Sequence, residues 1–218
     1  MNTSEFKAVA GIAVLYIFRM LGLFMVLPVL SLSGDEFGGA TPALIGLALG
    51  MYGLSQAVLQ IPFGLLSDRI GRKPVILTGL VVFIVGSIVA ANASTIYGVI
   101  FGRGLQGCGA IASTMMALLS DLTRVEQRTK AMAVLGASIG ISFGVALVIG
   151  PYIHNYFGLS GIFWITALFG MIGIVLVVSF IPTPTTQSMN RDAELVTAQI
   201  AGLLKHRELM RINLGIFL

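Results

Sequence analysis

Gly64-Leu65-Leu66-Ser67-Asp68-Arg69-Ile70-Gly71-Arg72-Lys73-Pro74 lies between two long apolar runs of a 218-residue chain. One acid, three bases and two glycines interrupt sequence that is otherwise almost free of charge. Such a cluster between membrane-length segments marks the edge of a bilayer, because Lys and Arg gather in short loops on one side. The glycines add a second requirement: a sharp turn or a close backbone contact at the same place.

The composition agrees. Hydrophobic residues make up 56% of the chain and charged residues 10%, against about a quarter charged in soluble domains. A bilayer core needs roughly 20 helical residues per crossing. Six runs satisfy this, at about 8–30, 43–66, 75–93, 96–121, 131–153 and 160–181. They are uniformly apolar and do not alternate, so helices are expected and strands are not. The first run is too long for a signal-peptide core and is broken by Arg19, so it reads as a retained helix.

Eleven of the thirteen basic residues fall on one side of this arrangement. They include Lys7, the clusters at 67–74 and 120–130, and the segment after 182. The loops at 31–42, 92–95 and 154–160 carry no Lys or Arg. The positive-inside rule therefore puts the N-terminus in the cytoplasm. The basic balance is topological and does not suggest nucleic acid.

Pro182-Thr183-Pro184 ends the sixth run. Three regions are expected: a six-helix bundle over 1–182, a cytoplasmic linker with an amphipathic helix over 183–208, and the start of a truncated seventh span over 209–218.

No catalytic constellation stands out. His154 and His206 fall on opposite sides of the membrane, and Cys108 is the single cysteine, so neither a metal site nor a cofactor is expected. Arg19 and Arg103 are the residues hardest to treat as packing. An intramembrane Arg is costly and normally faces a cavity or a partner. Arg103 shares a helical face with Gln106, Ala110 and Ser113, while Gln56 and Gln60 are one turn apart. Arg19, Gln56, Gln60, Arg103 and Gln106 are the candidate substrate or coupling cavity, with Met20, Met25, Met115 and Met116 as adaptable apolar surface. The bland alternative is that these polar groups only tie helices together.

Gly46, Gly50, Gly53 and Ala57 in the second run, and Gly136, Gly140 and Gly144 in the fifth, form small faces suited to close helix packing. Gly150-Pro151 is expected to bend the fifth helix.

The stretch Gly64–Lys73 resembles the loop signature between the second and third helices of the major facilitator superfamily. Arg103-Gly104-Leu105-Gln106-Gly107 resembles that family's Arg-x-x-Gln-Gly motif. The first run, Arg19 to Leu30, is similar to the drug:proton antiporter branch. The resemblance covers essentially the whole chain and implies the N-terminal half of the fold, two inverted three-helix repeats.

It also implies roles. Gly64, Asp68, Arg69, Gly71, Arg72, Lys73 and Asp121 would form a conformational latch and charge relay. Within it, Asp68 would cap a helix of a missing C-terminal half, and Arg72 would pair with Asp121. The implied function is secondary active transport by alternating access, a proton-coupled efflux of small hydrophobic or amphipathic compounds at a bacterial inner membrane. Its partners are the lipid bilayer, a small-molecule substrate, protons and the other half.

Two features depart from the family pattern. The antiporter motif usually ends Gly-Pro-x-x-Gly-Gly, whereas Gly150-Pro151 is followed here by Tyr152-Ile153-His154-Asn155. No Asp or Glu lies mid-membrane in any of the six runs. A half-size scaffold, regulatory or homodimerising bundle without its own transport cycle is the rival reading, and a membrane enzyme is a distant third.

Overall fold

The computed structural model describes residues 1–182, the side chains of Thr3 and Ser4 aside. The linker helix expected at 183–208 and the seventh span expected at 209–218 lie outside the described residues. Among those described, the chain is helical, with one isolated bridge between Gly38 and Thr95. The helices are α1 (Thr3–Ser33), α2 (Pro42–Ile70), α3 (Arg72–Ala91), α4 (Ile96–Cys108), α5 (Ala112–Asp121) and α6 (Val125–Ser179).

These six elements make six crossings, but not one each. α1, α2 and α3 are each long and apolar enough to span a bilayer. α4 and α5 are two halves of the fourth span, separated at Gly109 to Ile111. α6 has 55 residues, far more than one crossing needs. Gly158, at φ 66° and ψ −173°, divides it into arms 125–157 and 159–179, the fifth and sixth spans. That conformation is essentially restricted to glycine.

Several expected loops are therefore shorter than the charge pattern suggests. Within 67–74 only Gly71 leaves the helical region, at φ 104° and ψ 153°, so Asp68 and Arg69 close α2 while Arg72 and Lys73 open α3. The loop expected at 154–160 reduces to Gly158. In both places helix continues up to a single glycine, which supplies a backbone angle that other residues adopt only with strain.

Helix starts follow local chemistry. Asn2 and Glu5 form a reciprocal capping box at α1. Thr41 caps α2 ahead of Pro42, whose missing N–H costs nothing in the first turn.

Packing is closest where glycines meet backbone. A Cβ on Gly86 would sit 2.4 Å from the Gln106 nitrogen, and one on Gly107 would sit 2.3 Å from the Tyr52 carbonyl oxygen. These contacts press α3 and α2 onto α4. On the other side, Gly22 lies under Thr166, and Gly150 brings the first arm of α6 against the Met25 backbone of α1.

The small faces of α2 and of the first α6 arm behave differently from the expectation. A Cβ on Gly46, Gly50, Gly53, Gly136, Gly140 or Gly144 would meet nothing within 4 Å. Among the described residues they pack against no other helix, and both faces are open there. Helical dihedrals run through Gly150 and Pro151, and the only break inside α6 falls at Gly158.

Candidate functional site

Arg19 is just past the middle of α1 and only 2% exposed. Along α1 it falls within the first of two apolar clusters and ahead of the second. One is built on Val9, Ile12, Leu15, Tyr16 and Met20, the other on Met25, Val26, Val29 and Leu30.

Its Nη2 donates to the Gly109 carbonyl at 2.8 Å, to the Tyr52 hydroxyl at 3.2 Å and to Gln56 Oε1 at 3.2 Å. The Gly109 carbonyl is available because the fourth span breaks there. Inside a bilayer a helix break survives only where its freed backbone groups find partners. The Phe83 ring lies 6.0 Å from the Arg19 guanidinium carbon, within the range for a cation–π contact. Nε and Nη1 of Arg19 are buried without a hydrogen-bond partner among the described residues.

Arg103 is placed differently. It is fully buried, stacked 4.9 Å over the Tyr52 ring, and donates from Nη1 to Gln106 Oε1 at 3.0 Å. A long contact of 3.4 Å runs from its Nε to the Ala48 carbonyl. Gln106 Nε2 passes the chain on to Ser87 Oγ at 2.8 Å, and Ser87 donates to the Phe83 carbonyl at 2.7 Å. Arg103 and Gln106 therefore fill the seam of α2, α3 and α4.

Gln56 and Gln60 are half-buried on α2. The Gln60 carbonyl accepts from Ser113 Oγ at 3.2 Å, which ties α2 to α5. Met20, Met25 and Met115 are core side chains, and Met116 is exposed.

Tyr52 is the residue that sequence reasoning passed over. Its ring carries Arg103 and its hydroxyl accepts from Arg19. The signal was present, since Tyr52, Gln56 and Gln60 recur at four-residue spacing on one face of α2.

The charged stretch forms a second cluster at the basic end of the bundle. Arg72 Nε donates to Asp121 Oδ2 at 3.2 Å, Nη1 donates to Ser67 Oγ at 2.7 Å, and Nη1 also pairs with Asp68. Arg72 thus joins the end of α2 to the end of α5 through three side chains. Gly64 lies beside Ser113 on α5. Arg69 is exposed and Lys73 half-buried, and neither forms an ion pair among the described residues.

Two further ties went unread. Glu5, buried at the start of α1, accepts from Arg124 Nε at 2.8 Å, from Nη2 at 3.3 Å and from the Arg124 backbone at 3.2 Å. These bonds raise the pKa of the Arg124 guanidinium above its ordinary value. His154, at the far end, lies 3.0 Å from Ser33 Oγ and 3.8 Å from Glu36.

Comparison with known proteins supports the same reading. The sequence profile of the Major Facilitator Superfamily matches residues 12–218. The chain is 50% identical over 216 residues to the inner membrane transport protein YajR of Escherichia coli K12, covering 99% of this chain and 48% of that protein. It is 41% identical to an uncharacterized transporter of Buchnera aphidicola from Acyrthosiphon pisum, covering 100% and 56%. It is 29% identical to the class B tetracycline resistance protein of Escherichia coli, covering 80% and 44%. Among solved structures, the human organic anion transporter MFSD10 superposes with a TM-score of 0.72 at 19% identity, covering 88% and 53%. The chain spans about half the length of these relatives. With the profile matched across nearly all of it and a multi-pass helical bundle to match, the chain belongs to the major facilitator superfamily.

Proposed function

We propose that this bundle is the N-terminal half of a secondary active transporter working by alternating access, which exports small amphipathic compounds in exchange for protons. The observation that carries the reading is the pair of open small-residue faces on α2 and the first α6 arm. A six-helix bundle that left two glycine-lined stripes facing lipid would gain nothing from them, whereas a second bundle rocking against this one needs close, smooth contact. The relatives named as transport and resistance proteins agree with this assignment. The bacterial inner membrane is the proposed location, with the basic end of the bundle in the cytoplasm.

In this scheme Arg19, Tyr52, Gln56 and Gln60 face the transport path near the midplane. Arg103 and Gln106 act one layer behind, holding Tyr52 in place. Asp68, Arg72 and Asp121 form the latch: the Arg72 bridge stabilises one arrangement of the α2 and α5 ends, and Asp68 exchanges it for a contact with the other half. His154 stands where the antiporter motif has glycine, beside Glu36 and Ser33.

The test is reconstitution of the full-length transporter in proteoliposomes with an imposed pH gradient. Substrate-dependent proton movement that collapses with the gradient is the expected result. A chain that behaves as a stable half-size homodimer and moves no proton would support the scaffold reading instead.

A further inference from the structure

The two membrane arginines differ in one respect that bears on substrate. Neither has a counter-ion among the described residues, where every carboxylate, from Glu5 to Glu126, sits at an end of the bundle. Arg103 is enclosed by its ring stack and amide chain, and only one of its nitrogens, Nη2, is buried without a partner among the described residues. Arg19 spends a single nitrogen, Nη2, on three neutral acceptors, while Nε and Nη1 are buried and unpartnered. A guanidinium is a rigid fork whose donors match a carboxylate two at a time. A buried charge with neither an opposite charge nor its full set of hydrogen bonds is costly. The neighbours that hold Nη2 also set a direction: Gly109 and Tyr52 anchor one side of the fork and leave the Nε–Nη1 edge undirected. Gln56, half-buried, is the most exposed of the three groups that contact it.

We infer that Arg19 is the receptor for the anionic group of an amphipathic organic anion. The Nε–Nη1 edge takes the substrate's carboxylate or an equivalent oxyanion, and Tyr52 and Gln56 flank it. The anion supplies the missing counter-charge, so binding removes a penalty already present in the empty site. The apolar body of the substrate lies against the surrounding aromatic and aliphatic surface of α1 and α2. This rests on the transport reading for its biological meaning, but the site itself is a binding claim.

The test uses the full-length transporter in nanodiscs and three matched probes: 2-naphthoate, its neutral isostere 2-naphthamide, and 2-naphthylmethylammonium. Equilibrium binding should favour the carboxylate over the amide by about tenfold, the worth of a charge-assisted hydrogen-bonded pair, with the ammonium weakest. In Arg19→Gln the ratio of carboxylate to amide should fall to about one, with amide binding unchanged, while Arg19→Lys retains part of the preference. A carboxylate that binds no better than the amide, or a preference that survives Arg19→Gln, overturns the inference. If Arg19→Gln does not fold, the wild-type ratio alone decides, because a carboxylate from the missing half already paired with Arg19 would abolish the preference. Flux of the three probes in proteoliposomes is scored separately. No movement of any probe sinks the transport reading, and the binding ratio still decides the anion site.

Discussion

Arg19 of α1 donates a 2.8 Å hydrogen bond to the carbonyl of Gly109, at the break between the two halves of the fourth span. A charged side chain from one helix thus closes an interruption in another, at membrane depth. Tyr52 completes the arrangement by accepting from Arg19 and stacking under Arg103, so one α2 residue serves both cations.

The first prediction separates those two jobs. Tyr52→Phe keeps the ring under Arg103 and removes only the hydroxyl, and should lower stability by about 0.5–1.5 kcal/mol, the usual worth of a hydrogen bond. Tyr52→Leu removes both contacts and should cost about 1 kcal/mol more. Thermal melting of the purified protein in detergent measures the difference. Equal losses would show that the stack contributes nothing.

Glycines of two kinds should respond in opposite ways. At Gly86 and Gly107 a new Cβ would run into backbone at 2.4 Å and 2.3 Å, so Gly86→Ala and Gly107→Ala should each destabilise by about 1–3 kcal/mol. Gly50→Ala and Gly140→Ala add a methyl where nothing lies within 4 Å, and should leave the melting temperature of the bundle unchanged. Substitution to Leu at those two positions should impair transport in the full-length protein while expression holds. Normal transport by both Leu variants would mean that these faces meet no partner.

Backbone angle alone should decide Gly158. Its φ of 66° with ψ of −173° suits glycine only, and no neighbour lies within 4 Å of a Cβ there. Gly158→Ala should therefore cost about 1–3 kcal/mol through strain with no steric clash. Gly71→Ala, at φ 104°, should also lose stability through backbone strain. Wild-type melting curves for both variants would refute this account of the two reversals.

The Arg72 bridge should report on conformation more than on folding. Its ion pairs with Asp68 and Asp121 are partly exposed, and pairs of that kind contribute about 1 kcal/mol or less. Asp121→Asn should thus change stability little. Asp68→Asn should shift the inward-to-outward ratio about fivefold if the latch contributes about 1 kcal/mol, as read from spin-label distances across the two halves. An unchanged distance distribution would remove Asp68 from the mechanism.

Much of this was legible beforehand. The six apolar runs and the one-sided bases gave the crossings, and the stretch from Gly64 to Pro74 already held the turn, the acid and the bases. The charged stretch misled in one respect, since it reads as a loop yet is helical on both sides of Gly71. Charge density signals exposure to the membrane edge, and an α-helix satisfies its own backbone groups whether its side chains are charged or not. The break at Gly109 was hidden for the converse reason. Its residues are apolar and small, and the partner that makes it tolerable, Arg19, lies 90 residues earlier.

By itself the sequence determined that this chain is a membrane bundle, where it crosses, and which residues carry charge where charge is expensive. Those properties depend on local composition and on segment length against bilayer thickness. Only the tertiary structure decided what the charges do. Arg19 and Arg103 look alike along the chain, but Arg103 stacks on Tyr52, bonds into the Gln106–Ser87 chain and leaves one buried nitrogen unpartnered, while Arg19 leaves two. The glycine faces were likewise equivalent on paper until packing closed some against backbone and left others open. Partnership between side chains far apart in sequence is a property of helix packing, and no single helix contains it.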